Sequence, residues 1–199
     1  MMNIDEVIKD LKNTRIDIAL GRSDRLNWKF FMEKYNCQVI CEVGVLYGAN
    51  FRQMIEHAPD LAVAVDSWIN DGIPSHSDGL DTQQDYDIMY QGMLQLQLEK
   101  PFVKVCRGYS HDVVKEFPDE FFDLVYIDAD HTYEGCLQDL IDWYPKVKPG
   151  RFFVGDDYRT WWSQRVNLKM NVYKAVASFA HQMHRVVHAL PKHGWAIIK

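Results

Sequence analysis

Two stretches hold the residues best able to do chemistry. Asp123-Leu-Val-Tyr-Ile-Asp128-Ala-Asp130-His131 is an apolar run that empties into two carboxylates and an imidazole. A second apolar run, Phe152-Phe153-Val154, ends in Asp156-Asp157. Packing alone does not ask buried strands to finish in acid. If the two strands lie side by side and parallel, four carboxylates gather at one rim of a sheet. Asp128, Asp156 and Asp157 then form a hard oxygen donor set, suited to Mg²⁺ first, with Ca²⁺ or Mn²⁺ as alternatives, rather than to zinc. Like charges so close raise one another's pKa unless a cation joins them. Asp130 or His131 beside that set is placed to take a proton from a hydroxyl. Plainer readings stand next to these. Asp130 or Thr132 can cap the helix that follows, His131 can be a hydrogen-bonded strut, and Asp156-Asp157 can be a solvated turn.

A third group lies upstream, in Glu42-Val-Gly44-Val-Leu46-Tyr47-Gly48-Ala-Asn50. A glycine turn between strand and helix lets the backbone come close to a ligand and presents free N–H groups. Asp66 closes the next strand, 24 positions after Glu42. An acid about 20 residues beyond such a turn commonly accepts the hydroxyls of a ribose. The spacing is G-x-x-x-G rather than G-x-G-x-x-G, and Glu42 would repel a pyrophosphate. A nucleoside with a positive end suits it better. The plainer reading is a turn that merely joins strand to helix.

These groups need a scaffold that brings them together. Apolar periodicity predicts helices over 3–20, from Ser23 through Tyr35, over 82–98, 111–117, 132–144 and 170–183. Short apolar runs predict strands over 38–43, 61–65, 102–106, 122–128 and 152–155. Residues 68–80 and 157–167 read as loops, the second carrying Tyr158, Trp161 and Trp162 as a wall or lid. Residues 185–190 and 195–198 read as a closing antiparallel hairpin. Strand and helix alternate five times, which is the pattern of an α/β, doubly wound, Rossmann-like sheet. It is expected to be mostly parallel, with the antiparallel hairpin at its C-terminal end. We read one domain, with a helical arm over 1–36 and a core over 37–199. The arm is expected to cover one end of the sheet, with closing over a ligand or dimer formation as its alternatives.

Composition narrows the classes. The chain has 199 residues and a formal charge of −6, which argues against an extended nucleic-acid surface. No apolar run approaches the ~20 residues of a membrane span. Cys37, Cys41, Cys106 and Cys136 lack zinc spacing and read as reduced thiols of a cytoplasmic protein. His181, His184, His188 and His193 show no clean ligand pattern.

The glycine turn from Glu42 to Gly48, Asp66, Gly108-Tyr109-Ser110 and the two Asp-tipped strands together resemble the class I S-adenosylmethionine-dependent methyltransferases. The resemblance covers about residues 38–199. It implies that Glu42 and Gly44 lie by the methionine part of the cofactor, with Leu46, Tyr47 and Gly48 lining the same turn. It implies Asp66, with Ser67, on the ribose and Tyr109 and Ser110 by the adenine, with Asp128 reaching the cofactor as well. The acid rim is similar to that of the metal-dependent O-methyltransferases of catechol, caffeoyl-CoA and macrolide-sugar type. That likeness implies Asp128, Asp156 and Asp157 as metal ligands. The Asp-Asp pair is nearer the sugar-modifying branch, while His131 stands where the caffeoyl-CoA type has lysine. The implied activity is methyl transfer to a hydroxyl of a small molecule. A homo-oligomer is compatible with it, and no nucleic acid or membrane partner is expected. Alternatives are a metal-free methyltransferase, a non-catalytic nucleoside-binding protein, and a metal-dependent oxygenase or hydrolase on the same sheet.

Overall fold

A computed structural model describes residues 3–14, 28–70, 82–163 and 168–199. The expected helix start after Ser23, Met1 and Met2, and most of the 68–80 loop lie outside the described residues, as do the side chains of Trp161 and Trp162.

Helices α1 (Ile4–Thr14) and α2 (Trp28–Lys34) form the arm. Strand β1 (Val39–Val43) leads to α3 (Ala49–Met54), β2 (Leu61–Asp66) to α4 (Gln83–Glu99), and β3 (Val103–Arg107) to α5 (Ser110–Val113). Strand β4 (Phe122–Ile127) leads to α6 (Tyr133–Trp143), and β5 spans Val147–Gly155. Strands β6 (Trp161–Ser163) and β7 (Leu168–Met170), helix α7 (Val172–Gln182), β8 (His188–Ala189) and β9 (Trp195–Ile198) complete the chain.

The sheet runs β3-β2-β1-β4-β5-β9-β8, the first five strands parallel and the last two antiparallel. This is the mixed, doubly wound architecture that the alternation predicts. The order reverses between β1 and β4, which makes the crevice where sheets of this kind hold ligands. Register settles which residues share that edge. Val43 pairs with Val65 and with Ile127, and Ile127 pairs with Gly155. One residue on from these pairs come Gly44, Asp66, Asp128 and Asp156.

Each strand alternates its side chains between two cores. Ile40, Ala62, Ala64, Leu124, Tyr126, Phe152 and Val154 face α1 to α4. Cys41, Val43, Val63, Val65, Val125, Ile127 and Phe153 face α5 to α7. The arm is therefore a structural layer: Phe31 packs edge-on against Phe152 at 4.9 Å, and Trp28 against Tyr126 at 5.6 Å. Lys34 locks the arm to itself with 2.7 Å ion pairs to Glu6 and Asp10.

Local rules account for the helix limits. Thr82 and Asp85 make a reciprocal capping box on α4. Thr132 caps α6 by accepting the Gly135 N–H at 3.1 Å. Two expectations need correction. The 157–167 loop contains β6, which pairs with β7 as an antiparallel ribbon, and the outer hairpin strand is two residues long instead of six. Strands of two or three residues carry too little periodicity to be read. The four cysteines are buried and unbridged, and burial pushes the Cys37 thiol up to about 12. Among the described residues no helix is long and apolar enough to cross a membrane.

Candidate active site

The nucleoside side is built on the turn after β1. Gly44 has φ +89, and its α-carbon packs so tightly on Asp128 and Ala129 that a Cβ would overlap their backbone. Leu46 also takes a left-handed conformation, φ 53. This aims its N–H at Asp66 Oδ2, 2.8 Å away, while Trp68 N–H donates to Asp66 Oδ1 at 2.9 Å. Burial raises the Asp66 pKa, and the surrounding N–H donors only partly offset it. Asp66 keeps part of its surface exposed at the end of β2, where its acceptor oxygens can meet the hydroxyls of a vicinal diol. The fixed acceptor pair fits a ribose.

Trp68 was not singled out from sequence. Its fully buried indole donates to the Leu46 carbonyl at 2.7 Å and so holds the turn from beneath. Arg107 clasps the same segment, donating to the Ser67 and Trp68 carbonyls at 3.3 and 2.9 Å. A tryptophan two residues past a strand-ending acid is the only sequence signal for it. Ser67 Oγ accepts the Ile69 N–H at 3.4 Å, and Tyr47 is exposed at the turn. Gly48, at φ 77, opens α3.

Glu42 sits beneath this turn, almost fully buried, and accepts a hydrogen bond from Asn50 Nδ2 at 3.1 Å. A buried carboxylate needs hydrogen bonding and an opposite charge to be tolerable. A ligand with a cationic amino or sulfonium group fits that demand.

On the expected adenine side, Tyr109 is exposed and stacks on His111 at 5.8 Å. The Ser110 side chain turns inward. Its hydroxyl accepts the Trp143 indole N–H at 2.7 Å and hydrogen-bonds buried Asp139. Asp139 also accepts the Asp130 N–H, and burial pushes its pKa up to about 7. The Ser110 side chain thus fastens α5 to α6.

The acid rim converges partly as expected. Asp128, His131 and Asp157 each offer one ligand atom, all within 4.8 Å of one another. His131 Nε2 is 3.2 Å from Asp128 Oδ1 and 3.6 Å from Asp157 Oδ2. The mixture of two carboxylates and an imidazole fits a divalent cation, and the nitrogen widens the choice beyond Mg²⁺ and Ca²⁺. Asp156 adjoins the group, and its charge bears on Asp128, but its carboxylate is not one of the three convergent ligands. Its backbone carbonyl accepts the Trp195 indole N–H at 3.1 Å.

Burial, more than the charges of Asp156 and Asp157, raises the Asp128 pKa to about 6 against the opposing pull of His131. For His131 burial favours the neutral ring, but the Asp128 hydrogen bond and the charges of Asp128, Asp157 and Asp130 outweigh it and raise the pKa. Asp130 itself turns onto the helix start. Its Oδ1 accepts the Thr132 N–H at 2.8 Å, and its carboxyl occupies the space a side chain at 135 would need. Of the two expected proton acceptors, the structure brings His131 to the cluster and sets Asp130 on the α6 cap.

The lip over this cluster comes from the C-terminal third. Asn171 N–H donates to the His131 carbonyl at 2.8 Å, and Thr160 Oγ1 to Asn171 Oδ1 at 2.6 Å. Tyr158 and Tyr173 pack at 4.9 Å. Arg159 reaches back to Asp157 Oδ1 at 2.8 Å.

Over residues 41–158 the sequence matches the model of a family described as a methyltransferase domain. No curated protein sequence matches the chain. Among solved structures, a Staphylococcus aureus protein described as a caffeoyl-CoA O-methyltransferase has a TM-score of 0.61 at 15% identity, covering 96% of this chain and 92% of the other. An O-methyltransferase from Bacillus cereus in complex with SAH has a TM-score of 0.57 at 15% identity, covering 100% and 93%. The O-methyltransferase NovP has a TM-score of 0.58 at 14% identity, covering 98% and 78%. At such identities the likeness is one of fold, and its coverage takes in the arm as well as the sheet. The family match itself spans more than half of the 199 residues, and by it the chain belongs to the methyltransferase domain family.

Proposed function

We propose that the protein is an S-adenosylmethionine-dependent O-methyltransferase acting on a small hydroxylated molecule with the help of a divalent cation. One observation carries this reading. The Asp66-held glycine turn and the Asp128–His131–Asp157 cluster stand on the same sheet edge, on adjacent strands. The O-methyltransferase structures of the same fold, one of them holding SAH, support it.

When bound, S-adenosylmethionine supplies an electrophilic methyl group and the cation supplies a Lewis acid that lowers the pKa of a hydroxyl. The chain's own residues bind and orient. Asp66 takes the ribose hydroxyls, and Glu42 balances the positive methionine end. Asp128 and Asp157 hold the cation, with Asp156 beside them. With the cation resting on the two carboxylates alone, His131 Nε2 is left to accept the acceptor's proton. Tyr158 and Tyr173 give the acceptor an aromatic wall. Holding two reactants in line removes much of the entropic barrier of their meeting.

Arg159 favours a second reading. Its guanidinium already neutralises Asp157, so a metal-free enzyme with an Asp128–His131 pair as its base is also chemically complete. The test is calorimetry with S-adenosylmethionine, followed by methyl transfer to a panel of catechols with and without EDTA. Binding with EDTA-sensitive transfer supports the first reading. EDTA-resistant transfer selects the second, and no cofactor binding defeats both.

A further inference from the structure

We propose that Trp28, in the N-terminal arm, is a positioning residue for the cofactor site: through Asn50 it sets how Glu42 meets the methionine end of the ligand. The proposal rests on the S-adenosylmethionine reading above and gives the arm a part in binding beyond covering the sheet.

Strand parity begins the argument. Glu42 shares its face with Ile40, on the side that α2 and α3 cover, and its neighbours across the sheet are Ala64 and Tyr126. A charge buried there depends on the few polar atoms that those helices deliver. Asn50 delivers one: its Nδ2 donates to Glu42 Oε1 at 3.1 Å, with Met54 Sδ at 3.3 Å. Its Oδ1 accepts the Trp28 indole N–H at 2.9 Å. Trp28, Asn50 and Glu42 are all buried.

The chemistry of the three groups makes the chain directional. An indole N–H can only donate. It therefore demands the oxygen of the Asn50 amide and turns the NH₂ toward Glu42. Without that N–H the amide loses one of its two anchors, and the NH₂ that holds Glu42 is no longer fixed in place. Trp28 is itself fixed at 90° to Tyr126, the β4 partner of Glu42, at 5.6 Å. Docking of the arm and binding at Glu42 are thereby linked, and each favours the other equally.

Trp28→Phe keeps the aromatic packing and removes only the N–H. Calorimetry would compare S-adenosylhomocysteine, which carries the amino-acid end, with 5′-methylthioadenosine, which lacks it. The expected result is a loss of about tenfold for the first ligand and less than about twofold for the second. The Trp28→Phe effect should disappear in a Glu42→Gln background, since the linkage runs through that carboxylate. Asn50→Met, which leaves Trp28 in place, should show the same ligand-selective loss and serves if Trp28→Phe does not fold. Equal losses for both ligands, or no loss for either, would overturn the proposal. A wild-type chain that binds neither ligand overturns the cofactor reading, and this proposal with it.

Discussion

The Leu46 N–H donates to Asp66 Oδ2 at 2.8 Å, across twenty residues of chain. One carboxylate thus both shapes the glycine turn and faces the place proposed for the ribose. Asp66→Asn exchanges one acceptor oxygen for a donor, which must then oppose a backbone N–H or a ribose hydroxyl. Loss of hydrogen bonds to a charged group costs about 1.5–3 kcal/mol. S-Adenosylhomocysteine should bind roughly 10- to 100-fold more weakly by calorimetry. Unchanged affinity would remove Asp66 from the site.

His131 and Asp157 should separate by role. Asp157→Ala is expected to abolish binding of Mn²⁺, followed by its electron paramagnetic resonance. His131→Ala should still bind the ion, about 10- to 100-fold more weakly, the usual cost of losing a group that only orients a metal ligand. It should lower methyl transfer by about 100-fold or more, the usual worth of a general base. If His131→Ala loses the ion as completely as Asp157→Ala, the imidazole is a ligand and not the base.

Ser110→Ala tests a role that the tertiary contacts reassign. The substitution strands the Trp143 indole N–H in the core, at a cost of about 1–3 kcal/mol. Urea melts should show that loss, while S-adenosylhomocysteine affinity should move less than about threefold. A large affinity change with unaltered stability would return the hydroxyl to the adenine.

Asp139 should make stability depend on pH. Burial raises its folded-state pKa from 3.8 to about 7, so the folded chain keeps a proton that the unfolded chain has lost. Stability from this group is therefore full below about pH 4, falls as pH rises toward 7 and levels off above it. The whole swing is on the order of 4 kcal/mol. Asp139→Asn keeps an oxygen for the Asp130 N–H and carries no charge. Its melting temperature should exceed that of the wild type at pH 8, and the gap should close near pH 4.

Gly44→Ala should be the most damaging small change. It places a side chain at φ +89 and drives a Cβ into the Asp128 and Ala129 backbone. A loss of more than about 4 kcal/mol is expected, seen as insoluble expression or a collapsed melting transition. A variant with native stability would mean that the turn and the tip of β4 do not touch.

Much of this protein was legible in its sequence. Buried parallel strands have no polar face, so they read as short continuous apolar runs. Acid at the end of such a run, as in Asp66, Asp128 and Asp156-Asp157, marks the edge where strand gives way to crevice. That was enough to give the doubly wound sheet, the glycine turn and the two acidic tips. Thr132, one of the two caps read for α6, was legible because a cap lies within a few residues of the helix it opens.

What stayed hidden was which way side chains turn once elements meet. Asp130 and His131 are adjacent, yet the free N–H groups at the start of α6 draw one carboxylate to Thr132 and leave the imidazole to face Asp128 and Asp157. The family resemblance put Ser110 by the adenine, but Trp143, 33 residues away, claims its hydroxyl. Trp28 and Trp68 reach the site through Asn50 and Leu46, contacts spanning 22 residues each. Sequence determined the periods, caps and strand ends, because those depend on neighbours along the chain. Only the tertiary structure decided who answers each buried donor and acceptor, because a hydrogen bond is satisfied by whatever partner the folded sheet brings within about 3 Å.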